Sequence, residues 1–106
     1  MANYLLLYSG GEMPATPAEI QKGLAGWVAW FGKLGSDVVD SGNPFTPMAK
    51  TVGSDGKVSD GAVGTAASGY SVIKADSLAA AVEMAKGCPV LMGGAKISVY
   101  ETFNAM

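Results

Sequence analysis

The stretch that decides the fold is Tyr4-Leu5-Leu6-Leu7-Tyr8, with Ser9-Gly10-Gly11 directly after it. Five consecutive apolar or aromatic residues closed by small turn-forming residues are typical of a β-strand. Side chains alternate between the two faces of a strand, so Leu5 and Leu7 share one face and the other three residues share the opposite face. Both faces of this strand are apolar, and we therefore expect both faces of its sheet to be covered.

An amphipathic helix is predicted next. Thr16-Pro17-Ala18-Glu19 combines an N-cap residue, a proline suited to the first helical position and a glutamate that completes a capping box. Gly35 is placed to end the helix. The spacing of six apolar residues predicts a single buried stripe along the helix. These residues are Ile20, Leu24, Trp27, Val28, Phe31 and Leu34.

The rest of the chain predicts further strands, a hairpin and a second helix. In chain order we expect a strand at 38–39, a hairpin at 48–59, a loop at 61–69, a strand at 70–74, a helix and a strand at 97–103. Asp55-Gly56 is a strong turn signal for the hairpin. Asp76 is expected to cap the second helix, whose apolar face would carry Leu78, Val82 and Ala85.

The predicted order is β-α-β-(hairpin)-β-α-β across one domain, residues 1–106. This order predicts an α+β, ferredoxin-like fold, in which an antiparallel sheet carries two helices on one face. Two helices cover only one face of such a sheet. A second copy of the chain is the simplest cover for the other face, so we predict a homodimer.

Composition excludes several classes of function. The chain has 106 residues, a net charge of −2, seven lysines and no histidine, and all seven basic residues are lysine, so arginine is absent too. We therefore predict no nucleic-acid binding, no metal site and no cofactor. The lone Cys88 is typical of a reducing compartment, and neither a signal peptide nor an 18-residue apolar run is present. These features predict a cytoplasmic protein that does not bind membranes.

The central block of the sequence resembles that of a known family. Ser59-Asp60-Gly61-Ala62-Val63, residues 68–73 and residues 76–81 are similar to the YCII-related (DGPF-type) family, in which an Asp-Gly-Pro-Phe motif precedes a Gly-Tyr strand and an Asp-x-Leu-x-x-Ala helix. The first strand and Lys86-Gly87-Cys88-Pro89 resemble that family too, as does Gly42-x-Pro44. The resemblance implies a ferredoxin-like unit that pairs sheet to sheet as a dimeric α+β barrel.

The chain departs from the family pattern at two places. The Pro-Phe of the motif is Ala62-Val63 here, so the loop keeps its Asp-Gly and loses its proline and its ring. Some members carry a histidine near the start of the first helix that acts with an aspartate, whereas this chain reads Pro17-Ala18-Glu19 there. An activity that depends on that histidine is not expected.

The resemblance also implies a ligand cleft between the sheet, the first helix and the Asp-Gly loop. On this chain those parts supply Tyr8, Trp30, Asp60 and Gly61 as candidate ligand-binding residues. Asp60 has an alternative interpretation, which we favour, as an Asx-turn residue that closes the hairpin exit with Gly61. Gly23 and Gly26 lie on the helix flank beside Trp30 and indicate close packing, or alternatively a pocket with a tryptophan wall.

The chemistry of the chain favours binding over catalysis. No acid, base and oxyanion donors converge in the sequence, so no catalytic residue is assigned. We expect a small-molecule-binding domain whose cleft lies near the Asp60-Gly61 loop. A cofactor-free enzyme of the dimeric α+β barrel type and a non-catalytic protein-interaction or regulatory module are the alternatives. Cys88 is interpreted as a small buried apolar residue.

Overall fold

The computed structural model describes residues 1–11 and 16–105. Its elements, in chain order, are β1 (Ala2–Ser9), α1 (Pro17–Leu34), β2 (Val38–Asp40), β3 (Lys50–Val52), β4 (Val58–Asp60), β5 (Ala67–Ala75), α2 (Leu78–Ala85) and β6 (Lys96–Glu101). Short 3-10 turns follow the two helices, at Gly35–Asp37 and Pro89–Gly93. The elements follow the predicted order. β5 begins three residues earlier than predicted, and β6 ends two residues earlier.

Four strands form one antiparallel sheet in the order β2-β5-β1-β6. β3 and β4 pair only with each other and form a separate two-stranded hairpin. The fold is therefore α+β with an antiparallel sheet and two helices, which is compatible with a ferredoxin-like plan. β1 lies in the middle of the sheet, where Leu5 is opposite Val72 on one side and Tyr100 on the other.

One face of the sheet carries the core. Tyr4, Leu6 and Tyr8 of β1 are at most 4% exposed, and Ser71 and Ile73 of β5 are fully buried beside them. Residues of both helices pack against this face. They are Trp27, Trp30, Phe31 and Leu34 from α1 and Ala80, Ala81, Met84 and Ala85 from α2. The strict alternation of burial along β1 and β5 shows that the helices cover this face alone.

The opposite face of the sheet is apolar and partly exposed. Leu5, Leu7, Tyr70 and Val72 are partly exposed, and Tyr100 is 53% exposed. We call the surface formed by these five residues the helix-free face. The ring of Phe45, which follows β2, stacks on Tyr70 with 5.8 Å between centroids and extends this surface toward the edge of the sheet.

The predicted start and end of α1 are confirmed, but its predicted buried stripe is wrong in part. Thr16 Oγ1 accepts a hydrogen bond from the Glu19 amide at 3.2 Å, and Gly35 ends the helix at a φ of 58°. Leu24 and Val28 are 60% and 72% exposed. The inward face is instead centred on Trp30, which the sequence had placed on the flank, because the helix reaches the core only through its C-terminal half. Every residue from 17 to 22 is exposed.

The predictions for α2 need two corrections. The N-cap is Ser77 and not Asp76, since Ser77 Oγ accepts from the Ala80 amide at 3.1 Å. The inward face carries Ala81 and Ala85, whereas Leu78 and Val82 are 47% and 37% exposed. Small side chains let the helix lie close to the sheet, and that contact, not the size of the apolar residues, sets its orientation.

The predicted hairpin is confirmed as a projecting arm. We call residues 50–60, which comprise β3, β4 and their turn, the arm. Asp55 Oδ1 accepts from the Lys57 amide within the turn, and every arm residue except Thr51 is exposed. The radius of gyration is 15.1 Å, against about 13 Å for a compact domain of this size. Among the described residues, no helix is both long enough and apolar enough to cross a bilayer.

Candidate functional site

Tyr8, a candidate ligand-binding residue, is buried in the core. Its hydroxyl donates to Ser71 Oγ at 2.7 Å, and Ser71 Oγ donates to the Ser41 carbonyl at 2.8 Å. Burial raises the pKa of the Tyr8 phenol far above its usual range. The phenol is therefore a neutral hydrogen-bond donor that joins β1 to β5 and to the residue after β2. These bonds satisfy the buried hydroxyls and give Tyr8 a structural role.

Trp30 is likewise part of the core and not the wall of a cleft. Its indole Nε1 donates to the Met84 carbonyl at 3.0 Å, which ties α1 to the end of α2. Its ring lies 5.8 Å from Trp27, which in turn contacts Tyr8 edge to face at 5.6 Å. A Cβ built on Gly26 would lie at an ordinary contact distance of 3.5 Å from Pro89, and nothing lies within 4 Å of one built on Gly23. The close packing favoured for these two glycines is therefore not what the structure contains within one chain.

Asp60 and Gly61 lie at the exit of the arm. The Asp60 carboxylate pairs with the Lys50 ammonium across the two strands, and the two side chains are 90% and 66% exposed. Gly61 has a φ of 81°, donates its amide to the Ala49 carbonyl at 2.9 Å and accepts from Thr51 Oγ1 at 2.7 Å. The favoured Asx-turn interpretation of Asp60 is not what the structure contains: its carboxylate forms a cross-strand ion pair, and backbone bonds at Gly61 close the exit.

Within one chain the four candidate residues do not line a common cleft. Tyr8 and Trp30 are 4% and 5% exposed and satisfied inside the core, whereas Asp60 is on the exposed arm. The sequence placed them together because the resemblance implied a cleft bounded by these three parts of the fold. The arm, however, pairs only with itself and carries Asp60 away from the sheet.

Cys88 lies in the core. Cys88 is 2% exposed, and burial raises the pKa of its thiol, so little thiolate is present at neutral pH. The prediction that Cys88 is a small buried residue is confirmed. Residues 1–11 and 16–105 contain no group of three histidine, cysteine, aspartate or glutamate side chains placed to hold a metal ion.

A polar hollow of about 350 Å³ opens at one end of the helix-free face. We use the name polar hollow for the space lined by Ser9, Gly10, Thr65, Gly94, Lys96 and Ser98. Ser9 is opposite Lys96 in the ladder between β1 and β6, and Leu7 is opposite Ser98. Because side chains two apart share a face of a strand, all three polar strand residues lie on the face that carries Leu7.

The loop after the arm supplies the remaining wall of the polar hollow. Thr65 belongs to the stretch between Gly61 and the start of β5, so the hollow lies beside the loop that the Asp60-Gly61 motif opens. Sequence reasoning missed these lining residues. The one available signal was the alternation Lys96-x-Ser98 at the start of the last strand, and only the pairing of β6 with β1 brings Ser9 beside it.

A second, apolar hollow of about 360 Å³ lies between α2 and β6. Leu78 and Val82 of α2 face Ile97 and Val99 of β6 across it. The ammonium of Lys86 at its rim pairs with Glu83 at 2.7 Å. This hollow results from the rotation of α2 that turns Ala81 and Ala85 inward, and it offers apolar walls with no unpaired charge.

Two comparisons with known proteins were made. No model of a protein family matches it. No curated protein matches it significantly either. The resemblance to the YCII-related family therefore stays a prediction.

Proposed function

We propose that this chain is a small, homodimeric, non-catalytic domain that binds a small molecule, and that its subunits pair through their helix-free faces. The observation that carries the proposal is the alternation of burial along β1. Leu6 is 0% exposed under the helices, while Leu5 and Leu7 on the other face stay partly exposed. An apolar sheet face of this kind is stabilised when a second layer covers it.

The size of the helix-free face suits a second copy of the chain. β1 has eight residues and lies between two strands of similar length, so at about 3.3 Å per residue and about 4.8 Å per strand the face measures roughly 400 Å² in projection. Side chains make the accessible surface larger than its projection, so pairing two such faces would bury on the order of 1,000 Å² in total. A buried area of this size is the lower bound for a specific interface. Phe45, stacked on Tyr70, adds apolar area at the edge.

A twofold pair through this face is the arrangement that the family resemblance implies, a dimeric α+β barrel. Twofold dimers use the same patch on both subunits, and the centre of this patch is apolar, as such a pairing requires. The polar hollow lies at the end of the same face, beside the loop after Asp60-Gly61, and supports ligand binding there. The buried, unpaired Cys88 supports a reducing compartment such as the cytoplasm.

Light scattering on a matched pair of variants tests the dimer. The wild-type protein should scatter with twice the mass of the chain at micromolar concentration. Leu5→Lys places a charge on the helix-free face and should give a monomer, whereas Leu24→Lys, at a position that is 60% exposed on α1, should stay dimeric. A monomeric wild type, or equal effects of the two variants, would refute the proposed pairing.

Native mass spectrometry of the protein as purified tests ligand binding. A small molecule retained at one copy per chain supports the proposed function, and its mass identifies the class. Protein that carries no added mass, and that is not stabilised by any compound in a thermal-shift screen of metabolites, would contradict a ligand-binding role.

A further inference from the structure

We infer that the polar hollow binds the oxyanion group, a carboxylate or a phosphate, of a small ligand. This inference rests on the proposed ligand-binding function and deepens it, because it names the site and the chemical class of the ligand. Its parts come from one chain: the end of β1, the start of β6, the turn at Gly94 and the loop that carries Thr65. The site therefore does not depend on the second subunit.

The charge of the polar hollow favours an anion. Lys96 supplies the only charged side chain among its six lining residues, and none of the six is acidic. Lys50 and Lys86 form ion pairs with carboxylates, whereas Lys96, like the four remaining lysines, has no salt-bridge partner within residues 1–11 and 16–105. What distinguishes Lys96 is its place in a hollow beside three hydroxyl groups, where its ammonium attracts an anion.

The uncharged groups of the hollow are suited to the same ligand. Ser9 and Ser98 come from adjacent strands and share the face of Lys96, and Thr65 lies across from them on the loop. Each hydroxyl is one donor, and the lysine ammonium provides three, so the walls supply up to six donors without a negative charge. None of these hydroxyls forms a side-chain hydrogen bond within the described part of the chain, so all can turn toward a ligand oxygen.

The size and position of the hollow limit the ligand. Its volume of about 350 Å³ is at the lower end of ligand pockets, which commonly measure about 300–1,000 Å³. Leu7 is the neighbour of Ser98 in the ladder, and Leu5 lies two residues further along the same face. The partner covers these leucines in the proposed dimer, so a ligand with its oxyanion at Lys96 would occupy the end of the face beyond them. The expected class is a small carboxylic acid or phosphate ester.

Amide-resolved NMR titration tests the inference with inorganic phosphate and with acetate as probes, at constant ionic strength. Saturable shifts should be concentrated at Gly10, Gly94, Lys96 and Ser98. Lys96→Gln should weaken the binding of the preferred probe about fivefold, which corresponds to about 1 kcal/mol for an exposed ion pair. The matched control Lys33→Gln removes the same charge from the last turn of α1 and should change affinity less than twofold.

The stronger of the two probes identifies the source of the oxyanion, a phosphate ester or a carboxylic acid. Equal weakening by Lys96→Gln and Lys33→Gln, or shifts that do not saturate below about 50 mM, would overturn the inference. Titrating Leu5→Lys separates this result from the dimer, because one chain holds the whole site. If the probe binds at the polar hollow and the wild type is a monomer, only the proposed pairing is refuted. If the wild type is a dimer and no probe binds at the polar hollow, only the anion site is refuted.

Discussion

Gly42 is the glycine at which an added methyl group should lower the free energy of unfolding most. It follows β2, with a φ of 75°, and a Cβ built there would lie 1.7 Å from the Tyr70 carbonyl oxygen. Real Cβ atoms stay at least 3.0 Å from such atoms, so Gly42→Ala must move the chain by about 1.3 Å. The close approach is what lets the chain after β2 turn along β5 and place Phe45 on Tyr70, at the edge of the helix-free face.

The cost of Gly42→Ala follows from the contacts that depend on this turn. A left-handed backbone costs a non-glycine residue roughly 1–2 kcal/mol. The displacement should also break two hydrogen bonds. The Gly42 amide donates to Asp40 Oδ1 at 2.9 Å, and the Phe45 amide donates to the Ser68 carbonyl at 2.8 Å. At about 1 kcal/mol for each bond, the loss of unfolding free energy should be at least about 3 kcal/mol.

Urea unfolding followed by tryptophan fluorescence measures this loss, since both tryptophans belong to or border the core. All variants should be compared at one protein concentration. Gly42→Asn tolerates the left-handed backbone but keeps the clashing Cβ, so it should remain clearly destabilised. Gly32→Ala is the matched control, because nothing lies within 4 Å of its Cβ in α1 and alanine should stabilise the helix by up to about 1 kcal/mol. Gly42→Ala within about 1 kcal/mol of wild type would refute the reasoning.

Two further predictions concern the candidate residues taken from the sequence. Asp60→Asn should change the free energy of unfolding by no more than about 1 kcal/mol, because the Asp60 carboxylate and its partner Lys50 are both exposed. A loss above about 2 kcal/mol in a urea titration would contradict this prediction. Tyr8 keeps its proton in the native state above pH 10, where an unfolded tyrosine loses it, so its contribution to stability is complete below pH 10 and declines as pH rises further. Tyr8→Phe removes this contribution. The unfolding free energy of the variant should therefore fall less steeply between pH 10 and 11.5 than that of the wild type. Parallel pH profiles for the two proteins would show that Tyr8 ionises normally.

Local signals in the sequence determined which elements form and, for α1, where the helix begins and ends. Thr16 and Pro17 begin α1 and Gly35 ends it, because caps depend on hydrogen bonds within one turn. Asp55-Gly56 sets the turn of the arm for the same reason. The two apolar faces of β1 were also readable, since alternation along a strand is a property of the backbone.

Tertiary structure alone decided the orientation of the elements and the composition of the sites. α1 reaches the core only through its C-terminal half, so Trp30 is buried and Leu24 is exposed. α2 packs closely on the sheet through small residues, so Ala81 is buried and Leu78 is exposed. Lys96 meets Ser9 only because β6 pairs with β1, more than 80 residues away in sequence. Asp60 is separated from Tyr8 because the arm pairs with itself. Periodicity within one segment carries no information on such long-range contacts. The sequence therefore determined the helices and strands, while packing between distant segments determined which residues share a surface.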